Sequence, residues 1–152
     1  MDPAAGLTII DTSVFIIDLR YKRDRNFGVN QAFLDRIAQE GNGATTIFNL
    51  LEVCGILSFN LNEKQLRELF FYLPEHYRVE VFPDASLANR IPSFKVGDLF
   101  DVIARKASFG DALIISSIQA HIPRAGRFVS WNSQHFTGHL SIPSLNPKEY
   151  LQ

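Results

Sequence analysis

The sequence predicts an α/β fold in which helices cover both faces of a mainly parallel sheet. Short β-branched runs that stop at turn residues alternate with longer segments of helical periodicity, and this alternation is typical of parallel sheets. The 152-residue chain fits one domain, residues 1–152, and its 46% apolar content is enough for a sizeable core. In such sheets, binding sites gather beyond the carboxyl ends of the strands.

The first half of the chain is expected to contain two strands and three helices. A β-branched run at residues 7–10 ends at Asp11 and predicts a buried strand. A helix is expected directly after it, at 12–19. A charged loop at 20–28 comes next, and helical spacing resumes at Val29 until glycines end the helix. The remaining elements of this half are a strand at 44–48 and a mostly buried helix at 49–59.

Cap and turn residues divide the second half in the same way. Asn60 or Asn62 can cap a helix that Pro74 is expected to stop. The elements expected after it are a strand at 77–82, helices at 96–107 and 111–121, a strand at 127–131 and a short edge strand near 140–142.

The composition of the chain limits the cellular compartments and the classes of partner that can be expected. A net charge of −1 argues against a generally basic nucleic-acid coat and leaves room for a local basic patch. Cys54 is the single cysteine, so an internal disulfide is impossible and a reducing compartment is expected. No apolar stretch approaches the ~20 residues of a membrane helix, and the N-terminus lacks the basic region of a secretory signal. We therefore expect a cytoplasmic protein without a membrane partner.

Three acidic residues occur where a site is expected, although each also has an ordinary explanation. Asp11 ends the first strand and Asp111 opens an apolar helix, so both could simply cap helices. Glu52 shares a helix face with Asn49, and this face is either a narrow solvent stripe or the wall of a cleft. Converging carboxylates repel one another unless a cation lies among them. Mg²⁺ or Mn²⁺ suits such oxygen ligands and could polarise a phosphodiester and activate a water molecule.

Four ordered segments resemble the successive motifs of PIN-domain proteins, including the VapC-like ribonuclease toxins: "LTIIDTSVFIIDL", "TTIFNLLEV", "SFGDALIISSIQAH" and "RFVSWNSQHF". The resemblance implies a PIN-like three-layer α/β/α sandwich with a mainly parallel central sheet, and a Mg²⁺- or Mn²⁺-dependent endoribonuclease. It implies that Asp11, Glu52 and Asp111 are the catalytic and metal-binding carboxylates. Thr12 or Ser13 matches the hydroxyl position that supports the site in this family.

The last motif departs from the family pattern at one position. Asn132 and Phe136 are present as the resemblance requires, but His135 stands where the fourth acid would be. A neutral imidazole can bind Mn²⁺ and is a poor ligand for Mg²⁺, so His135 is a further candidate metal ligand or simply a surface histidine. A one-metal enzyme, an altered metal preference and a lost activity all remain open.

An RNA substrate would require positive charge near the acids. The run "RYKRDR" could supply it or could be an ordinary solvated surface. Trp131 could stack on a base or pack at the end of a strand. The candidate RNA contacts are Arg20, Lys22, Arg23 and Arg105.

The segment "LRELFFYLP" is apolar on nearly every side, so one face should remain uncovered after the other enters the core. We expect that face to form a homodimer contact or to bind a partner such as an antitoxin. The apolar residues concerned are Leu66, Leu69, Phe70, Phe71, Tyr72 and Leu73.

These residues are compatible with three different functions. The leading hypothesis is a metal-dependent ribonuclease that acts as the toxin of a toxin–antitoxin pair. The alternative is a catalytically weakened PIN-like module that binds RNA or protein, with His135 marking the decayed site. An aspartyl-phosphate phosphatase is disfavoured, because it would require a second Asp where Ser13 stands.

Overall fold

A five-stranded parallel sheet forms the centre of the computed structural model, which describes residues 6–152. Its order is β3-β2-β1-β4-β5, so the chain builds outward from β1 on one side and then returns to add β4 on the other. The strands are β1 (Leu7–Ile10), β2 (Gly43–Thr46), β3 (Glu80–Phe82), β4 (Ala125–Val129) and β5 (Ser144–Leu145). The predicted α/β class is therefore confirmed, with a sheet that is parallel throughout.

Helices cover both faces of the sheet. Successive residues of β1 point to opposite faces, so Ile10 packs with the helices of one layer and Ile9 with those of the other. One layer contains α1 (Thr12–Arg20), α2 (Phe27–Glu40), α3 (Ile47–Leu57) and α4 (Glu63–Tyr77). The second contains α5 (Val96–Ala104) and α6 (Phe109–His121), and a short α7 (Pro147–Leu151) and a 3₁₀ helix (Ser133–His135) complete the chain.

The predicted strand at 44–48 is too long, because α3 begins inside it. Thr46 caps α3 by accepting a hydrogen bond from the Asn49 backbone N–H, and the Asn49 side chain accepts one in return from the Thr46 N–H. This reciprocal capping box places residues 47 and 48 in the first turn of the helix. α3 accordingly spans Ile47–Leu57 rather than 49–59.

The prediction that Pro74 stops α4 is wrong. The helix continues to Tyr77, since a proline in the last turn removes only one backbone hydrogen bond. Tyr77 is buried against Phe15, with ring centroids 5.1 Å apart, and its hydroxyl donates to Asp18. Arg78, in the left-handed region at φ 56°, ends the helix. At the other end, Asn62 rather than Asn60 is the cap.

The remaining elements are found where they were predicted, with shifted ends. α2 begins at Phe27 rather than 29, α5 ends at Ala104 rather than 107, and α6 begins at Phe109 rather than 111. β3 begins at Glu80 rather than 77, and β4 lies two residues before the predicted 127–131. β5 is an exception, because it lies wholly after the predicted 140–142, and α7 was not predicted. Within residues 6–152, we find no helix of the length and hydropathy required to cross a membrane.

The apolar segment on α4 is better covered than predicted. Leu69, Phe70 and Leu73 enter the core, and only Phe71 and Tyr72 remain about half exposed. The more exposed apolar face lies on α5, where Val96 is 85% and Phe100 is 65% exposed.

Candidate active site

A cleft opens at the carboxyl edge of the sheet beside β1 and β4. This is the point where the strand order changes direction, because the chain leaves β1 toward β2 and later returns to place β4 on the other side of β1. The cleft has a volume of about 300 Å³, and Asp11, Glu52 and Asp111 all line it. The other residues along its walls are Thr12, Ser13, Ile16, Ile56, Asn132, His135 and Phe136.

Asp11 is buried at the base of this cleft and is only 6% exposed. It precedes α1, yet its side chain makes no capping hydrogen bond to that helix. Instead, Oδ1 accepts a hydrogen bond of 3.0 Å from Nδ2 of Asn49, and Oδ2 accepts one of 2.6 Å from the Ser130 hydroxyl. The ordinary capping explanation for Asp11 therefore does not describe its contacts.

Burial raises the pKa of Asp11 from its ordinary value of 3.8 to about 6. The hydrogen bond from the Ser130 hydroxyl acts in the opposite direction, because it stabilises the charged form. The negative charges of Glu52 and Asp111 raise the pKa further. The three carboxylates are therefore close enough to influence one another electrostatically.

Asn49 links α3 to the first turn of α1. The side chain is completely buried, so the predicted solvent stripe, whose other members Glu52, Gly55 and Ser58 are exposed, does not include Asn49. Its Nδ2 donates to Asp11 and also to Oγ1 of Thr12, at 3.0 Å each, while its Oδ1 accepts from the Thr46 hydroxyl at 2.7 Å. The capping box of α3 thus fixes the amide that holds Asp11 in place.

Glu52 lies on the exposed face of α3 and reaches toward the start of α6. Oε2 of Glu52 lies 3.5 Å from the position that a Cβ at Gly110 would take, so this carboxylate is close to the residue that precedes Asp111. Asp111 is half-buried one residue later, and Ser108 rather than Asp111 caps α6, through a hydrogen bond of 3.1 Å from the Asp111 N–H. Both side chains are therefore available to the cleft.

The fourth motif forms the opposite wall. The hydroxyl of Ser13 accepts a hydrogen bond of 3.1 Å from the Trp131 N–H, which ties α1 to the turn after β4. Asn132 and His135 are exposed and face the cleft from the 3₁₀ helix and the residue before it. The buried ring of Phe136 packs on Phe128, 4.4 Å between centroids, and anchors this short helix to the sheet.

Ser130 is the site residue that sequence reasoning missed. Its hydroxyl donates to Asp11 and accepts a hydrogen bond of 2.9 Å from the Asn132 N–H. The available signal was its position, since a hydroxyl residue directly after β4 lies beside the residue that directly follows β1.

In the described part of the chain, the acids of the cleft form no ion pair. Among residues 6–152, the one ion pair is Arg67–Glu63 on α4, and no Lys or Arg lines the cleft. The same residues also contain no group of three or more His, Cys, Asp or Glu side chains placed closely enough to hold an ion unaided. Mg²⁺ usually keeps several waters and binds one or two carboxylates directly. The oxygen donors of the cleft therefore fit a hydrated divalent cation rather than one enclosed by protein.

Comparison with known proteins identifies the fold. No family model and no curated protein matches the chain. Among solved structures, FitAcB from Neisseria gonorrhoeae is 16% identical, with a TM-score of 0.59, and the match covers 93% of this chain and 99% of that one. The fold is PIN-like. FitAB bound to an IR36 DNA fragment is 18% identical, with a TM-score of 0.55 and coverage of 93% and 95%.

The PIN-like fold brings the four motif segments to one cleft, and none of the four candidate RNA contacts lines it. Arg20 ends α1 and Lys22 and Arg23 follow it, and the nine residues of this helix carry the chain about 13 Å away from Asp11. They border a separate surface depression together with Tyr21 and Asp24. Arg105 instead follows α5 and precedes the N-terminal cap of α6, so it lies at the same edge of the sheet as the acids.

Proposed function

We propose that the protein is a metal-dependent endoribonuclease that hydrolyses RNA phosphodiester bonds and serves as the toxin of a toxin–antitoxin pair. The observation that supports it best is the convergence of Asp11, Glu52 and Asp111. These side chains come from three separate elements and line one cleft at the reversal point of the sheet. An arrangement of three acids without a basic neighbour favours a cation as the missing component.

Asp11, Glu52 and Asp111 are the residues that would hold Mg²⁺ or Mn²⁺, with His135 as an additional ligand for Mn²⁺. The cation, when bound, would supply the positive charge that polarises a phosphodiester. Asp11 has the fixed position of an anchoring ligand, because Asn49 and Ser130 each hold one of its oxygens. The more exposed carboxylates of Glu52 and Asp111 are free to accept hydrogen bonds from an attacking water molecule.

The opposite wall of the cleft is suited to contact the phosphate. Asn132 can donate from its side-chain amide, and His135 can donate from a ring nitrogen. Arg105 lies on the same edge of the sheet and would contact the adjoining phosphate. Arg20, Lys22 and Arg23 would hold a more distant part of the strand. Cleavage should therefore weaken as salt concentration rises.

The direct test incubates purified protein with total RNA in Mg²⁺, in Mn²⁺ and in excess EDTA. Asp11→Asn should fold and lose cation-dependent cleavage. Asp18→Asn makes the same change at the far end of α1, where Asp18 contacts Tyr77, and should remain active. Full cleavage by Asp11→Asn, or by the parent in excess EDTA, would show that the proposed mechanism is wrong.

A second candidate is a catalytically weakened module that binds RNA or protein. The observations that favour it are His135 at the position of the fourth acid and the lack, within residues 6–152, of a closely packed group of metal ligands. Calorimetry with Mn²⁺ separates the two candidates. Heat of binding that disappears in Asp11→Asn supports the nuclease, whereas a parent protein that binds no Mn²⁺ at millimolar concentration supports the decayed module.

The toxin role also calls for a protein partner, and self-association is part of the proposal. The exposed apolar face of α5, with Val96 and Phe100, is the surface that a second copy or an antitoxin would cover. Phe71 and Tyr72 of α4 offer a smaller apolar area. Co-expression of the parent protein with a small neighbouring gene product, followed by co-purification, tests the antitoxin.

A further inference from the structure

Asn30 lies in α2, outside the cleft, and is completely buried. Both polar groups of its side-chain amide form hydrogen bonds. Its Nδ2 donates a hydrogen bond of 2.8 Å to the carbonyl oxygen of Val14, and its Oδ1 accepts one of 2.7 Å from Nε1 of Trp131. A buried amide whose two groups bind different segments fixes the position of one segment relative to the other.

The two segments joined by Asn30 are the first turn of α1, which follows Asp11, and the turn after β4, which contains the hydroxyl that binds Asp11. Val14 lies in the first turn of α1, three residues after Asp11. Trp131 directly follows Ser130, the residue whose hydroxyl donates to Asp11 at 2.6 Å. The Asn30 side chain therefore spans the same two segments as the Ser130–Asp11 hydrogen bond, from behind the cleft.

The backbone around Trp131 extends this connection to the wall of the cleft. The Trp131 N–H donates to the Ser13 hydroxyl, and the next N–H, that of Asn132, donates to the Ser130 hydroxyl. The indole ring is thus attached to a turn in which successive backbone groups hold residues of the site. If the Trp131 indole lost its hydrogen bond to Asn30, this whole turn would be able to move.

We propose that Asn30 is a positioning residue for the cleft, acting through the Trp131 indole on the turn that contains Ser130 and Asn132. The role in metal binding rests on the proposed function, whereas the role in ordering the turn does not. Asn30 touches neither the carboxylates nor the cleft, so its effect is transmitted through hydrogen bonds of other residues.

The test compares Asn30→Leu with Trp131→Phe, which removes the indole donor from the other side. Tyr77→Phe is the matched control, because it removes a partly buried side-chain hydrogen bond, that to Asp18, at the far end of α1. Amide hydrogen exchange at positions 131 and 132 reports the turn without any metal. Calorimetry with Mn²⁺ reports the effect on the site.

Both test variants should speed exchange at positions 131 and 132 by about tenfold, and Tyr77→Phe should leave it unchanged. The affinity for Mn²⁺ should fall about tenfold in the test variants, with no further loss in the double variant. Equal exchange at these amides in Asn30→Leu and Tyr77→Phe would overturn the inference, and Trp131→Phe decides it if Asn30→Leu does not fold. A parent protein that binds no Mn²⁺ would contradict the proposed function, and the exchange data would still decide the role of Asn30.

Discussion

At the scale of a single residue, the buried carboxylate of Asp11 works against the stability of the folded chain. Its pKa of about 6 means that the folded chain keeps a proton there after the unfolded chain, with an ordinary value of 3.8, has released it. The stabilising contribution of this group is therefore complete below pH 3.8 and is lost as the pH rises through 6. Relative to acidic solution, the cost at neutral pH is on the order of 3 kcal/mol.

Asp11→Asn should consequently be more stable than the parent at pH 7.5 in the absence of divalent cations. The difference should shrink as the pH falls toward 4, because asparagine does not titrate. It can also keep one hydrogen bond each with Asn49 and Ser130, whose hydroxyl is able to rotate. Urea denaturation over this pH range measures the difference. A difference that stays constant with pH would show that Asp11 is not the titrating group.

Ser130→Ala should destabilise the protein by about 2 kcal/mol at pH 7.5, since a hydrogen bond to a charged group contributes roughly 1.5–3 kcal/mol. The pKa of Asp11 should also rise further, because the hydroxyl stabilises its charged form. Ser58→Ala provides the control, because the Ser58 hydroxyl donates to the Gly55 carbonyl oxygen on an exposed surface. Urea denaturation should show little change in that variant. Similar losses in the two variants would contradict the assigned role of Ser130.

At the scale of the element, the start of α6 connects helix stability to the cleft. Ser108 caps this helix through the N–H of Asp111, and Asn62 caps α4 in an equivalent way through that of Gln65. Ser108→Ala and Asn62→Ala should each lower the free energy of unfolding by about 1 kcal/mol. Only Ser108→Ala should also weaken Mn²⁺ binding, because its helix carries Asp111. Calorimetry and denaturation of both variants check this, and an equal effect on Mn²⁺ affinity would count against it.

The periodicity of the sequence predicted which segments are helices and which are strands, whereas single side chains determine where each of them begins and ends. The repeat of apolar residues predicted the strands β1 to β4 and the helices α1 to α6, whereas β5 lies outside the predicted range 140–142. The start of α3 was misplaced because Thr46 is a good strand former and also a good cap, and the reciprocal bond with Asn49 decides between them. The end of α4 was misplaced because the packing of Tyr77 outweighs the loss of one hydrogen bond at Pro74.

At the scale of the whole molecule, the exposed apolar face of α5 is the surface that we most expect a partner to cover. If a second copy covers it, the parent should sediment as a dimer at micromolar concentration and Phe100→Asp as a monomer, since a charge would then be buried in the interface. Phe71→Asp on α4 places the same charge on the smaller apolar area and should remain dimeric. A monomeric parent would contradict self-association and leave α5 available to a different protein.

The sequence predicted which edge of the sheet the acids share, but it could not show what surrounds them. Asp11 was expected at the end of a strand and Asp111 at the start of a helix, two positions that should meet at the carboxyl edge of the sheet, and both do line the cleft. The Ser130–Asp11 and Trp131–Asn30 hydrogen bonds join residues that are 119 and 101 positions apart, which no local pattern reveals. The basic run after α1 was expected near the acids because it is close in sequence, whereas the length of the helix separates them.

The position of β4 beside β1 has a consequence for a chain that is still being made. β1 is synthesised before β4, and this neighbouring strand follows more than 100 residues later. Until then Asp11 has no hydroxyl to hold it, and the wall bearing Asn132 and His135 does not exist. A growing chain therefore cannot assemble the cleft early, so the order of synthesis alone delays any activity of the cleft until β4 has been made.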